Sequence, residues 1–218
     1  MMNSGQAPGK IFEVAAVIMA GGKGRRMGRE KGLIELSGRS LVQRAAANAA
    51  RVFAEVIISG PASLSAAGFP AVPDEQPDAG PLAGILAGLK AARAAWIMAL
   101  PCDSPFVPET FLRGLAELRA DNDVVVPRDG DLFEPLHALY STRCIAPIER
   151  LIQKGERKII ALYDMVKVLE IGPETYRPWD PDKLAFFNIN TPDDLNRAKT
   201  TIGHEEKRQD AKTAKTRG

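Results

Sequence analysis

The sequence predicts an α/β fold: a doubly wound, mostly parallel Rossmann-like sheet followed by a mixed C-terminal extension. Three observations predict it. Short apolar runs alternate with segments of helical apolar spacing from Val14 to Val126. The runs are continuous rather than alternating, as in strands covered on both faces by crossover helices. The chain has 218 residues, 45% hydrophobic and 26% charged, which suits one such domain with a small appendage.

The elements follow in order. Val14–Met19 reads as the first buried strand and ends in glycines. Ser40–Val52 places Leu41, Ala45, Ala49 and Val52 at helical spacing. Glu55–Ser59 is a strand closed by Gly60-Pro61, and Phe69–Val72 a short third strand. Pro81–Ala95 is a helix entered through Gly80, with proline in its tolerated first-turn position. Trp96–Leu100 is a strand running into Pro101-Cys102-Asp103, followed by a helix at Pro108–Leu118 and a strand at Asp123–Val126. After Pro127 the pattern loosens. His137–Tyr140, Val166–Ile171 and Phe186-Phe187 read as strands, and Cys144–Gln153 as a helix. A last helix starts with Thr191 as N-cap, Pro192 at its first position and Asp193 and Asp194 in its first turn. No internal repeat is present. Residues 11–202 read as a single domain, and residues 1–10 and the polar stretch 203–218 as disordered termini.

Composition excludes several roles. The formal net charge is +2, well short of the basic excess of a dedicated nucleic-acid binder. No apolar stretch reaches the length of a membrane span, and the N-terminus lacks a charged segment followed by an apolar run. Cys102 and Cys144 form no CxxC pair for zinc. A reducing cytoplasm is the expected location.

In open α/β sheets ligands bind beyond the carboxyl ends of the strands, and three features stand at such ends. The first is the loop Ala20-Gly21-Gly22-Lys23-Gly24-Arg25-Arg26-Met27-Gly28. Glycines let backbone N–H groups approach an anion, and Lys23, Arg25 and Arg26 add positive charge, a combination that suits a polyphosphate. The loop lacks the GxxxxGK pattern of a P-loop. It approaches a dinucleotide fingerprint, but the strand ending at Ser59-Gly60 offers no acid for a ribose hydroxyl. The second is Lys31, three residues on, either a point charge for a phosphate or a surface lysine. The third is Asp103, between Pro101 and Pro105 after a very apolar strand, either a Mg²⁺ ligand shared with phosphate oxygens or a turn cap. Asp74, before Gly80-Pro-Leu-Ala-Gly84, is either an acceptor for base or ribose hydrogen bonds or a turn aspartate. The small residues from Gly80 would let a flat base lie on the backbone.

Together these segments resemble the molybdenum cofactor guanylyltransferase family of the nucleotidyltransferase superfamily. The matching pieces are Met19-Ala-Gly-Gly-x-Gly-x-Arg-Met-Gly28 with Lys31, Asp74 with Gly80-Pro-Leu-Ala-Gly84, Pro101-Cys-Asp-Ser-Pro105, Glu134-Pro-Leu-His-Ala-Leu-Tyr140 and Phe187-Asn-Ile-Asn-Thr-Pro-Asp-Asp-Leu195. They stand in the family's order and span Val14 to Lys199. The resemblance implies transfer of GMP from GTP to the terminal phosphate of molybdopterin, with release of pyrophosphate. It implies that Met19, Ala20, Gly21 and Gly22 meet the guanine and GTP and that Lys31 contacts phosphate. By the same resemblance Asp74 and Gly80 border the nucleoside, Asp103 holds Mg²⁺, and Asn188 and Asn190 face the pterin side. Gly155-Glu-Arg-Lys158 is similar to a segment that meets the pterin phosphate. Transient contact with molybdoenzyme targets or chaperones is a further implication. Two departures stand out: Ser59-Gly60-Pro61 replaces an asparagine common in the family, and the spacer between Gly28 and Lys31 is short.

In-line displacement at the α-phosphorus needs positioning and charge neutralisation rather than a protein nucleophile. The absence of a histidine-centred triad fits this: the chain has two histidines, His204 in the polar tail and His137, which reads as a packed structural residue. Lys23, Arg25 and Arg26 would stabilise leaving pyrophosphate. Alternatives are a cytidylyl or sugar-phosphate nucleotidyltransferase on the same scaffold, an NADP-dependent oxidoreductase, and a non-catalytic GTP-binding adaptor.

Overall fold

Continuous apolar runs need cover on two sides, and the computed structural model, which describes residues 9–21, 31–74 and 79–202, supplies it. Strand β1 (Ile11–Met19) is buried from Val14 to Ile18. A short hairpin of β2 (Glu35–Leu36) and β3 (Arg39–Ser40) leads into helix α1 (Leu41–Ala49), where Ser40 and Gln43 form a reciprocal capping box. Strands β4 (Phe53–Ser59) and β5 (Ala71–Val72), helix α2 (Pro81–Ala91) and strand β6 (Trp96–Pro101) follow. Helix α3 (Glu109–Glu117), strands β7 (Val124–Asp129), β8 (Leu132–Phe133) and β9 (Ala138–Ser141), and helix α4 (Ile145–Gln153) come next. Strand β10 (Val168–Ile171), the short helix α5 (Pro173–Tyr176) and a helix over residues 192–202 complete the described part.

The strands form one eight-stranded mixed sheet in the order β10-β7-β9-β6-β1-β4-β5, with β8 beside β7. Strand β1 pairs in parallel with both β4 and β6. The chain therefore leaves β1 in one direction along the sheet and returns on its other side, which makes the β1–β6 boundary a switch point. Alternate residues of β1 divide the core. Val14, Ala16 and Ile18 pack with α1 and α3, whereas Ala15 and Val17 pack with α2 and α4.

The mostly parallel sheet with a mixed part after Pro127 is as expected: β9 is antiparallel to both β6 and β7 and lies between them in the main sheet. Several expectations are corrected. Helix α2 stops at Ala91, not Ala95, because Ala92 is extended and the Arg93 N–H donates to Glu55 Oε2 at 3.1 Å. Phe186-Phe187 is not a strand. Both rings are packing groups: Phe186 meets Phe111, Tyr176 and His137 edge-on, and Phe187 meets Phe106. The β2–β3 hairpin was not expected, although Ser37-Gly38, both at positive φ (49° and 75°), is the turn it needs. Among the described residues no helix is long and apolar enough to cross a membrane.

Candidate active site

The carboxyl ends of β1, β4, β5 and β6 converge. Met19 ends β1, and its carbonyl accepts from the Cys102 N–H at 3.2 Å. The Ala20 N–H donates to the Ser59 carbonyl at 2.8 Å, and the Gly60 N–H to the Val72 carbonyl at 2.9 Å. These bonds carry the parallel ladder one step past the strands and hold the start of the glycine-rich loop against β4 and β6. Gly22, Lys23, Arg25 and Arg26 lie outside the described residues, as does the side chain of Lys31. The backbone of Lys31 opens a 3-10 turn, Lys31–Leu33. A Cβ on Gly32 in that turn would stand 3.8 Å from the Ala20 Cβ and 3.9 Å from the Cys102 Sγ, so the turn brings the chain back to the ends of β1 and β6.

Asp74 stands two residues past β5 and is half-buried. The Ser59 hydroxyl donates to its Oδ1 at 3.0 Å. Its Oδ2 lies 3.1 Å from where a Cβ on Gly21 would be. Burial pushes the Asp74 carboxyl above its ordinary value, and the Ser59 hydrogen bond draws it part of the way back. Helix α2 supplies the opposite wall. A Cβ on Gly84 would lie 2.5 Å from Met19 Cε and 2.8 Å from Ser59 Oγ, so only a residue without one lets the helix approach this closely. Gly80, at φ +68°, opens α2 in the left-handed region and faces the Arg157 backbone. Gly21, Asp74, Ser59 and Gly84 thus pack together at the strand ends around one oriented carboxylate.

The second wall is made from side chains. Asp103 follows β6 and is partly buried. Its carbonyl accepts from the Ile189 N–H at 2.9 Å, which fastens the segment around Asn188 to the end of β6. The Ser104 hydroxyl donates to Asn188 Oδ1 at 2.5 Å, and His137 Nε2 lies 3.2 Å from Ser104 Oγ. His137 is 1% exposed, stands edge-on to Phe186, and turns its Nδ1 toward Glu134 Oε2 at 3.6 Å. The Tyr140 hydroxyl donates to the Pro135 carbonyl at 2.7 Å and so fixes the segment that delivers Glu134 and His137. The buried Asp180 carboxylate receives the N–H groups of Leu184 and Ala185 and shapes the turn before Asn188. Asn190 is exposed. Its N–H and that of Thr191 donate to the Asp194 carboxylate, while the Asp194 N–H returns to Thr191 Oγ1, a reciprocal cap on the last helix.

The structure therefore brings Met19, Ala20, Gly21, Asp74 and Gly80 to one side and Asp103 and Asn188 to the other. Asn190 sits beyond Asn188, at the helix cap. Sequence reasoning missed Ser59 as the partner of Asp74, and Ser104 and Glu134 altogether. The available signal was a polar residue directly after an apolar strand, in Ser59-Gly60 and Asp103-Ser104. Among the described residues no group of three or more His, Cys, Asp or Glu could hold a metal ion. Asp103 nevertheless offers a hard oxygen donor at the strand end, which fits a cation that takes one or two protein carboxylates and completes its shell with substrate phosphates.

Comparison with known proteins agrees with this architecture. Residues 16–168 match the MobA-like NTP transferase domain family. A probable molybdenum cofactor guanylyltransferase of Pelotomaculum thermopropionicum is 39% identical over 191 residues, covering 87% of this chain and 93% of the relative. A molybdenum cofactor guanylyltransferase of Desulfosudis oleivorans is 35% identical, covering 87% and 96%. Among solved structures, molybdopterin-guanine dinucleotide biosynthesis protein A of Archaeoglobus fulgidus superposes with a TM-score of 0.76 at 29% identity, covering 87% of this chain and 99% of that one. The chain belongs to the MobA-like NTP transferase family and is a nucleotidyltransferase.

Proposed function

From that membership we propose that the chain transfers GMP from GTP to the terminal phosphate of molybdopterin, forming molybdopterin guanine dinucleotide and releasing pyrophosphate. The observation that carries this reading is the meeting of Gly21, Ser59, Asp74 and Gly84 at the carboxyl ends of β1, β4 and β5. The Asp74 carboxylate is held by Ser59 and packs against Gly21 and Gly84. Such a carboxylate can accept the N–H or O–H groups of a nucleoside bound at these strand ends. Membership of relatives named as guanylyltransferases supports guanine as that base.

The reaction is an in-line displacement. An oxygen of the molybdopterin phosphate bonds to the α-phosphorus of GTP, the bond from that phosphorus to the bridging oxygen breaks, and the electron pair leaves with pyrophosphate. The attacking oxygen is already anionic, so no general base is needed. Met19 to Gly22 and Gly80 border the nucleotide. Lys23, Arg25, Arg26 and Lys31 neutralise the phosphates, in keeping with their place in and after the loop. Family members of this kind work with a divalent metal; here Asp103 would hold Mg²⁺, which when bound shields the charge between the phosphates. Asn188 and Asn190 serve the acceptor side. The reading also assigns a cytoplasmic setting and transient handover to molybdoenzyme targets or chaperones.

The test follows pyrophosphate with purified protein, GTP and Mg²⁺. Release that requires added molybdopterin is the expected result. GTP binding without any molybdopterin-dependent release would instead make the chain a non-catalytic adaptor.

A further inference from the structure

We propose that Ser104 and His137 are positioning residues for the acceptor substrate: they orient the Asn188 amide so that its N–H groups, not its carbonyl oxygen, meet an oxygen of molybdopterin. The inference rests on the guanylyl-transfer reading and assigns work to a histidine that the displacement itself leaves unused.

A serine hydroxyl carries one proton, and Ser104 gives it to Asn188 Oδ1 at 2.5 Å. Ser104 Oγ therefore meets His137 Nε2, 3.2 Å away, as an acceptor, and Nε2 carries the hydrogen. His137 Nδ1 is buried, has no hydrogen-bond partner, and faces Glu134 Oε2 at 3.6 Å. Turning the ring over would take the Nε2 hydrogen away from Ser104, and the edge-on Phe186 ring packs the imidazole in place.

Ser104 and His137 are 2% and 1% exposed, so both bonds are shielded from bulk water. With its carbonyl committed to Ser104, Asn188 has its amide N–H groups on the opposite branch to offer a ligand. The Ile189 N–H bond to the Asp103 carbonyl ties the segment that carries Asn188 to the end of β6. The relay joins three separate sequence segments at one point of the acceptor wall.

Steady-state pyrophosphate release at saturating GTP tests this. Ser104→Ala is expected to raise the KM for molybdopterin about tenfold, with kcat and the KM for GTP within about twofold of the unaltered protein. His137→Leu should act in the same direction. His137→Gln, which keeps an N–H at the Nε2 position, should restore most of the loss. In an Asn188→Ala background, Ser104→Ala should add less than about twofold, since a residue that acts through a partner has no further effect once the partner is gone. Asn188→Asp, which removes the donor, should cost more than Asn188→Ala. A full further loss on the Asn188→Ala background, a raised KM for GTP, or an Asn188→Asp enzyme better than Asn188→Ala overturns the proposal. If Ser104→Ala does not fold, the two His137 variants give the same decision. An unaltered protein that releases no pyrophosphate with molybdopterin overturns the guanylyl-transfer reading itself, an outcome separate from failure of the relay.

Discussion

Two serines, one beside Asp74 and one beside Asn188, do similar work by different means. Ser59 is 1% exposed and Ser104 2%, and each hydroxyl holds one polar side chain beyond the end of a buried strand. Ser59 reaches Asp74, 15 residues on, across a parallel ladder. Ser104 reaches Asn188, 84 residues on, and is itself held by His137 from a third segment. The setting of Asp74 is thus a local construction of glycines, backbone and one carboxylate, whereas that of Asn188 is a long-range assembly of side chains. Under the proposed function the first would serve the nucleotide and the second the acceptor.

Variants in the two settings should separate along substrate lines. The largest effect is expected between them. Asp103→Ala should leave the fold intact and lower kcat by about 10²–10³-fold, the scale of losing a charge-stabilising group at a phosphoryl site. A folded variant with near-normal turnover in the pyrophosphate assay would remove the metal role of Asp103. A smaller effect, confined to GTP, is expected at Ser59. Ser59→Ala should raise the KM for GTP severalfold and leave the KM for molybdopterin unchanged, on the scale of one lost hydrogen bond of about 1 kcal/mol. It should also change the pH profile. Burial already holds the Asp74 carboxyl above its usual value, and the Ser59 bond lowers it. Removing that bond raises it further, so the acid limb of kcat/KM for GTP should move to higher pH. An unmoved limb would mean that Asp74 does not accept from the nucleoside in its ionised form.

The same division explains what could be read in advance. The strands β1, β4 and β6 were legible because residues such as Val14–Ile18 and the whole of Trp96–Pro101 are buried and apolar without alternation. The place of Gly21, Asp74 and Gly80 near the strand ends was legible because each sits at a punctuated strand or helix end. The reversal of β9 was not, because Ala138–Ser141 has the same buried pattern as its parallel neighbours and direction leaves no mark in so short a run. Phe186-Phe187 has strand-like composition, yet the Asp180 carboxylate and the rings of Phe111 and Phe106 settle it as a packed turn. The relay through Ser104 was invisible for a related reason. Nothing local to Ser104 announces a partner 84 residues away, and His137 looked like the packed residue that it also is.

The proposed function requires that the residues around Asp74 select guanine for transfer to a pterin phosphate. The decisive measurement is the rate of molybdopterin-dependent pyrophosphate release with GTP against CTP at equal concentrations. GTP is expected to be preferred by at least about tenfold in kcat/KM, since a site built to hydrogen-bond one base leaves its polar groups unpaired with another. Equal rates with the two nucleotides, or faster release with CTP, would contradict it.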